Sequence, residues 1–143
     1  MAGSAGHAAT ASTEKAEGSM KPETILQNKI IRAIGTRPDV RIWRSHPGGA
    51  TLQGRFVRFG IPGQADVTGI LPVVQVLSCP HCDGQLSTPP LGVRLEIEVK
   101  TETGRLSKDQ KNFQGMIERF GGIYIVARSP QAVLDIIRNA GAE

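Results

Sequence analysis

The chain has 143 residues, of which 39% are hydrophobic and 21% are charged. This length suits one domain with a single core. The formal net charge of +4 is a mild basic excess that is compatible with a polyanionic partner. Two cysteines are too few for a disulfide scaffold, and no apolar run approaches the roughly 18 residues of a membrane span. Composition therefore argues against a disulfide-rich secreted domain and a membrane-spanning protein.

Residues 1–19 differ in composition from the rest of the chain. They are mostly Ala, Gly, Ser and Thr with a few charges, and they contain no apolar segment of the kind found in signal peptides. Such a composition predicts a disordered tail, because it has too little apolar surface to form a core. We expect one folded domain over residues 20–143.

The first predicted element is a helix over Pro22–Ile34. Pro22 suits the first helical turn and Gly35 the position after the last turn. The apolar stripe consists of Leu26, Ile30, Ala33 and Ile34. Glu23 borders this stripe, and it is either an acid that complements the helix dipole or a member of a site.

Two predicted strands follow, separated by a glycine-rich segment. Val40–Ser45 and Arg55–Phe59 alternate as strands, whereas His46–Gly54 predicts a loop without the pattern of a phosphate-binding P-loop. The arginines of these strands are either a phosphate-contacting patch or ordinary solvated side chains; they are Arg41, Arg44, Arg55 and Arg58.

Two later segments carry the charged residues that suggest chemistry. Asp66 stands where a glycine-rich turn enters a short apolar strand, a position at which a lone Asp is usually a turn cap. Leu95–Lys100 alternates apolar and charged residues, which predicts a half-buried strand with Glu96, Glu98 and Lys100 on one face. An exposed strand with an ion pair is the simpler interpretation. The alternative is a metal-dependent nuclease, in which carboxylates hold a hard cation and a lysine assists at the phosphodiester.

The segment Gln75–Pro90 lies between these two strands. Its sequence Cys79-Pro80-His81-Cys82-Asp83-Gly84 is typical of one zinc knuckle, although a structural zinc site needs four ligands. His81, Asp83, His46 or a second subunit would have to complete a site built on Cys79 and Cys82. Free thiols are the alternative. We expect 86–91 to be a linker.

The remaining residues predict helix, strand and helix. Ser107-Lys108-Asp109-Gln110 is a capping box, and the helix it begins has a predicted core stripe of Phe113, Met116, Ile117 and Phe120, ending at Gly121. Gln110 is the capping residue of this box, and because it precedes Phe113 by three residues it also lies toward the core face. Ile123–Ala127 predicts a buried strand, and a last helix starts at Ser129 or Pro130 with four inward residues, Val133, Leu134, Ile136 and Ile137.

This alternation of elements predicts an α/β fold with a mixed sheet of four or five strands flanked by helices. The crossover through the Gln110 helix should place the Lys100 and Tyr124 strands in parallel.

The ordered series of motifs resembles the virus-type replication-repair nuclease (VRR-NUC) domain of the PD-(D/E)xK superfamily. The matching segments are Arg58-Phe59-Gly60, Gly63-Gln64-Ala65-Asp66, Glu96-Ile97-Glu98-Val99-Lys100-Thr101, Gly104-Arg105-Leu106-Ser107, Gln110 and Gly121-Gly122. Two features depart from the pattern. Ala65 stands where proline is usual, and the segment 75–90 is inserted.

The resemblance implies a restriction-endonuclease-like core and a Mg²⁺- or Mn²⁺-dependent endodeoxyribonuclease acting on branched DNA, such as Holliday junctions or flaps, in DNA repair. By this resemblance Asp66, Glu98 and the carbonyl of Val99 would hold the metal, and Lys100 would serve the attacking water or the transition-state charge. Further candidates are Gln110 and Glu23, with Glu96 as the fallback carboxylate. The predicted DNA-binding residues are Arg44, Arg55, Arg58, Arg105 and Lys108.

Resolving a junction requires two cuts related by symmetry, and one small domain offers limited contact area for DNA, so we expect a homodimer to whose interface the Cys79–Cys82 loop could contribute. The resemblance adds weight to the homodimer and implies the cytoplasm of a bacterial or phage-infected cell. Two other functions stay open at this point. One is a non-catalytic DNA-binding module that has kept the fold, and the other is an interaction protein linked by Zn²⁺ at Cys79 and Cys82.

Overall fold

The computed structural model describes residues 20–82 and 84–140, so the predicted tail 1–19 and the candidate ligand Asp83 lie outside the described residues. Within these ranges the chain forms three helices: α1 (Pro22–Ile34), α2 (Lys108–Arg119) and α3 (Pro130–Asn139). The strands are β1 (Arg41–Arg44), β2 (Gly48–Leu52), β3 (Arg55–Phe59), β4 (Val67–Val73), β5 (Val76–Ser78), β6 (Gln85–Ser87), β7 (Leu91–Val99) and β8 (Ile123–Ala127). The α/β prediction is confirmed.

The central sheet has four strands in the order β1-β4-β7-β8. β4 is antiparallel to both β1 and β7, whereas β8 is parallel to β7, with Glu98 opposite Val126. The sheet is therefore mixed, and the predicted parallel crossover through α2 is confirmed. β2 and β3 form a separate hairpin, and β5 and β6 form a second one.

The two faces of the sheet are covered by different helices. On one face α1 and α3 pack against the strands through a core that includes Ile30, Ile97 and Ile137. On the other face Phe113 and Ile117 of α2 pack near Ala65 in a smaller cluster. Because strand side chains alternate between faces, Glu96 and Glu98 lie on the α2 face. Both are buried, so the interpretation of this strand as solvent-exposed is wrong.

Local signals account for the helix ends. Ser107 caps α2, and Gln110 completes the predicted capping box. Ser129 caps α3 through the amide of Ala132. Gly121 follows α2 with a φ of 79°, a left-handed conformation that favours glycine.

Four local expectations are wrong. The segment 46–54 contains β2 rather than only a loop, because β3 supplies an antiparallel partner across the turn at Gln53 and Gly54. The linker predicted for 86–91 instead contains the end of β6 and the start of β7. Phe120 is 76% exposed because α2 has already ended at Arg119. Two residues predicted to face the core are also exposed, Ala33 and Ile136.

Candidate functional site

The candidate site is at the end of β7 and the start of β4, on the face covered by α2. Oδ2 of Asp66 accepts a hydrogen bond of 2.8 Å from the backbone amide of Val99. This bond attaches Asp66 to the strand that carries Glu98 and Lys100. The structure therefore brings together the acid of one motif and the acid-x-lysine pair of the other.

Glu98 lies at the centre of this cluster. Its Oε1 accepts from Lys100 Nζ at 2.8 Å and from Gln110 Nε2 at 2.5 Å. Its Oε2 is buried and has no hydrogen-bond partner among the described residues. A buried carboxylate oxygen without a donor is costly unless a ligand compensates for it. One oxygen of Glu98 is thus held by the protein, while the other is left for a cation or a donor group.

Burial and mutual repulsion perturb the pKa values of these groups. The pKa of Glu98 is raised to about 7, chiefly by burial; the charges of Asp66 and Glu23 act in the same direction as burial, and Lys100 opposes them. Burial also raises the pKa of Asp66. Burial lowers the pKa of Lys100, but the hydrogen bond and charge of Glu98 outweigh it, and the net pKa is raised. Lys100 is therefore an ammonium group at neutral pH.

Gln110 satisfies both interpretations that its sequence position allowed. Its Oε1 accepts from the amide of Ser107 at 2.8 Å, which is the capping bond, while its Nε2 donates to Glu98. The start of α2 is fixed against the site by a close backbone approach at Gly63, where φ is 77°. A Cβ at Gly63 would lie 2.2 Å from the carbonyl carbon of Asp109, so only glycine fits there.

Helix α1 approaches the site from the other side. Gln27 Nε2 donates to the carbonyl oxygen of Asp66 at 3.2 Å, and Ser45 N donates to the same oxygen at 2.9 Å. Glu23 lies one turn earlier on α1, and its charge reaches both Asp66 and Glu98. Sequence reasoning missed Gln27 as a residue that positions Asp66, although its spacing of four from Glu23 places both on one helix face.

Glu96 has partners of its own instead of joining this cluster. Its Oε2 accepts from Thr68 Oγ1 at 2.9 Å, and its Oε1 accepts from Arg94 Nε at 2.6 Å. Thr68 is in turn 2.7 Å from Ser45 Oγ. With both oxygens bound, Glu96 is a poor fallback ligand for a metal. Thr68 was missed as its partner, although it lies two residues after Asp66 on the same strand face.

Tyr124 adds a second unpartnered polar atom to this face. Its hydroxyl is buried and, like Glu98 Oε2, has no partner within the described residues. Tyr124 is opposite Glu96 across the parallel pairing of β7 and β8. Burial, reinforced by the nearby carboxylates, raises the pKa of Tyr124 above its usual value. The hydroxyl is therefore protonated at neutral pH.

The predicted DNA-binding residues are exposed but not equivalent. Arg44 donates to Gln27 at 3.2 Å and also to Asn28, so its guanidinium fastens β1 to α1. Arg55 and Arg58 lie on the β2–β3 hairpin. The other two predicted cations follow β7 in the chain, Arg105 in the loop after it and Lys108 at the start of α2.

A cleft of about 290 Å³ lies between the β2–β3 hairpin and the turn before Asp66. Its walls include Phe56, Phe59, Arg58, Ile61 and Gly63. Both phenylalanines are exposed by roughly half or more of their surface. Asp109, in the first turn of α2, also lines the cleft, so the cleft reaches the residue that precedes Gln110.

The two cysteines are far from this cluster in the sequence and lie at the tip of the β5–β6 hairpin. They are free thiols, with Cys79 partly buried and Cys82 exposed. The amide of His81, together with the thiol and amide of Cys82, lowers the pKa of Cys79. Among the described residues, no group of three or more His, Cys, Asp or Glu side chains is arranged to hold a metal ion.

The described helices include none that is long and apolar enough to cross a membrane. Comparisons with models of protein families, with curated proteins and with solved structures find no match to this chain. Functional inference therefore rests on the geometry of the site and on the resemblance of its motifs.

Proposed function

We propose that this chain is a Mg²⁺- or Mn²⁺-dependent DNA endonuclease with a restriction-endonuclease-like core of the VRR-NUC type. One observation carries the proposal. The fold joins Asp66 to the backbone of β7 beside Glu98 and Lys100, and it leaves one oxygen of Glu98 buried without a partner. A protein that only bound DNA would gain nothing from placing the buried carboxylate of Glu98 and the half-buried one of Asp66 beside a polyanion.

The donor set fits a hard divalent cation. Carboxylate and carbonyl oxygens are the ligands that Mg²⁺ and Mn²⁺ prefer, and Mg²⁺ usually binds one or two carboxylates with waters and substrate phosphate completing its shell. The protein ligands would be Asp66, Glu98 and the carbonyl of Val99. Two carboxylates would suffice because waters and substrate phosphate would occupy the other coordination positions. Such a cation would polarise the phosphodiester and lower the pKa of a bound water.

The protein groups around this position have separable roles. Gln110 and the amide of Val99 orient Glu98 and Asp66. Lys100 is a hydrogen-bond donor, because its pKa is raised beside Glu98, and it suits charge stabilisation at the phosphate better than proton abstraction. Hydrolysis would then add a water oxygen to phosphorus and break one ester bond, giving a phosphate monoester and a hydroxyl.

The surface near the site supports a branched or flapped DNA substrate. Arg58 lines the cleft, and Arg105 and Lys108 flank the end of β7, where cations can contact phosphates. Phe56 and Phe59 offer exposed rings on which unpaired bases can stack, as they do on many proteins that bind single strands. Unpaired bases are present in single-stranded flaps but not inside a continuous duplex.

The test measures cleavage and binding separately. Asp66→Asn, Glu98→Gln and Lys100→Met should each lower cleavage of flap and four-way DNA by at least about 100-fold in Mg²⁺ or Mn²⁺. Binding in Ca²⁺ should change little, because these groups act on the reacting atoms. Glu102→Gln is the matched control, since Glu102 is an exposed acid just after β7. If wild-type protein binds every substrate and cleaves none, the chain is a DNA-binding module and the proposal fails.

A further inference from the structure

The β5–β6 hairpin carries the two cysteines away from the central sheet. Gln75 and Thr88 close its base through hydrogen bonds of 2.8 and 3.0 Å, and Cys79 N donates to the carbonyl of Gly84 at 2.8 Å near its tip. All six residues of the two strands are exposed. The hairpin is thus a separate two-stranded sheet between β4 and β7 in the chain, and its strands contribute nothing to the core.

The tip has the geometry of half a zinc site. The amides of His81 and Cys82 lie beside the sulfur of Cys79. A Cβ on Gly84 would come within 3.2 Å of Cys82 Sγ, so the glycine leaves room around the second sulfur. Two sulfurs on one tight turn, with backbone donors beside the first, form the arrangement that zinc knuckles present to the metal.

One copy of the chain cannot complete this site from its described residues. Structural zinc takes four ligands, and the chain contains only two cysteines. In 20–82 and 84–140 no third His, Cys, Asp or Glu joins them in a metal-binding group. A two-fold axis through the metal would bring the same pair from a second copy and give four thiolates.

The exposed apolar side chains of the hairpin also favour a second copy of this chain as the surface that covers them. Leu77 is opposite Leu86 in the pairing, and they are 51% and 68% exposed. Val76, the residue before Leu77, is also exposed. Apolar side chains on a hairpin without core contacts cost solvation energy unless another surface covers them, and an identical hairpin would bury both sets at once.

We propose that the hairpin tips of two copies of this chain bind one Zn²⁺ through Cys79 and Cys82 of each copy and thereby form a homodimer. Binding converts four thiols into four Zn–S bonds and releases four protons to solvent, with no change in oxidation state. The zinc is structural and separate from the carboxylate cluster, so this inference does not rest on the proposed nuclease activity.

The first experiment measures zinc content and mass together. Wild-type protein is loaded with Zn²⁺ under a non-thiol reductant, passed over a desalting column, and measured by elemental analysis and light scattering. We expect one zinc per two chains and the mass of a dimer. Cys79→Ser and Cys82→Ser should each lose the zinc and the dimer, whereas Ser87→Ala, a change in the same hairpin, should keep both.

A second pair of measurements guards against a variant that fails to fold. Chelation of wild-type zinc should convert the dimer to monomer, and Co²⁺ in place of zinc should give the thiolate charge-transfer absorption of a tetrahedral site. Leu86→Glu leaves all four sulfurs in place but should weaken the dimer by at least about 10-fold. Glu98→Gln should keep one zinc per two chains.

Several results would overturn the proposal. One zinc per monomer would indicate a site completed within one chain, and the absence of bound zinc would indicate free thiols. A dimer that dissociates in reductant without zinc would be held by a disulfide. Loss of zinc in Glu98→Gln would place the metal at the carboxylates. None of these results would affect the cleavage test.

Discussion

At the scale of single residues, Glu98 combines burial, an ammonium partner and an unpartnered oxygen. Its pKa of about 7 in the folded chain is above the ordinary value of 4.5, chiefly because burial disfavours the carboxylate. Between these pH values the native state retains a proton that the unfolded chain has released. Without divalent ions, stability is therefore greatest below the lower value and decreases as pH rises towards the higher one.

This linkage can be measured by urea unfolding in EDTA. We expect wild-type protein to lose about 1–3 kcal/mol between pH values of about 4.5 and 7 through this group. Glu98→Gln removes the titration and should flatten this part of the profile, while adding Mg²⁺ should stabilise wild-type protein most at the upper end. Parallel profiles for the two proteins would mean that Glu98 titrates normally.

The side chain of Gln110 makes two hydrogen bonds, one with Ser107 and one with Glu98, and a substitution can remove the second while keeping the first. Glu at this position keeps the capping box, because a carboxylate can accept from the amide of Ser107, but it cannot donate to Glu98. We expect Gln110→Glu to keep the cap but to cleave at least about 10-fold more slowly and to unfold at a lower temperature at neutral pH, because its carboxylate would repel that of Glu98. Gln110→Ala should lose cleavage and also about 1 kcal/mol of stability. Normal cleavage by Gln110→Glu would show that the bond to Glu98 is dispensable.

At the scale of elements, the β2–β3 hairpin owes its conformation to glycine. A Cβ at Gly49 would lie 2.3 Å from the ring of Phe56, so the absence of a side chain lets this ring lie across the neighbouring strand. The two-residue turn has positive φ at both Gln53 and Gly54, which is the twist that antiparallel strands favour. The glycines therefore determine the conformation of the hairpin, which forms one side of the cleft.

The proposed stacking surface predicts that removing one aromatic ring weakens binding to flapped DNA but not to blunt duplex. Phe56→Ala should weaken binding to flapped DNA by about 10-fold while leaving blunt duplex nearly unchanged, because stacking is worth roughly 1–3 kcal/mol per base. Leu52→Ala is the matched control, since Leu52 is exposed on the same hairpin and does not line the cleft. Fluorescence anisotropy with labelled DNA gives both affinities. An equal loss on both substrates would argue against stacking.

Local sequence signals predicted most of the helices and strands, but they did not predict the burial of every side chain on them. The capping box at Ser107 and the strand predicted from the apolar run Ile123–Ala127 depend on neighbours a few residues away, and both are confirmed. The burial of Glu96 and Glu98 depends on α2 packing over them, which alternation alone does not reveal. β2 was missed because its glycines have low strand propensity and gain their conformation from β3.

At the scale of the whole molecule, the site draws on all three layers. α1 contributes Gln27 and the charge of Glu23, the sheet contributes Asp66 and Glu98, and α2 contributes Gln110. Sequence order could not show that these residues meet. The hydrophobic periodicity of each helix and strand indicated which of its residues face the core. Which of those faces meet at the site depends on how the helices pack on the sheet.

The N-terminal segment should be separable from this assembly. Its composition lacks the apolar residues needed to add to a core. Deleting residues 1–19 should leave the melting temperature and the cleavage rate unchanged, as measured by calorimetry and a gel assay on the same DNA. A clear decrease in melting temperature would show that the segment docks on the domain.

The chain contains a single tryptophan, Trp43, on the edge strand β1. It is directly opposite Thr68, so its indole lies on the same face of the sheet as Glu96 and Glu98. The ring is about half exposed, at 49%. Its emission is therefore a natural optical signal from this edge of the site face. Binding of nucleic acid or a metal ion there can be followed in the unlabelled protein by a shift in the emission wavelength of Trp43 and by quenching of its fluorescence.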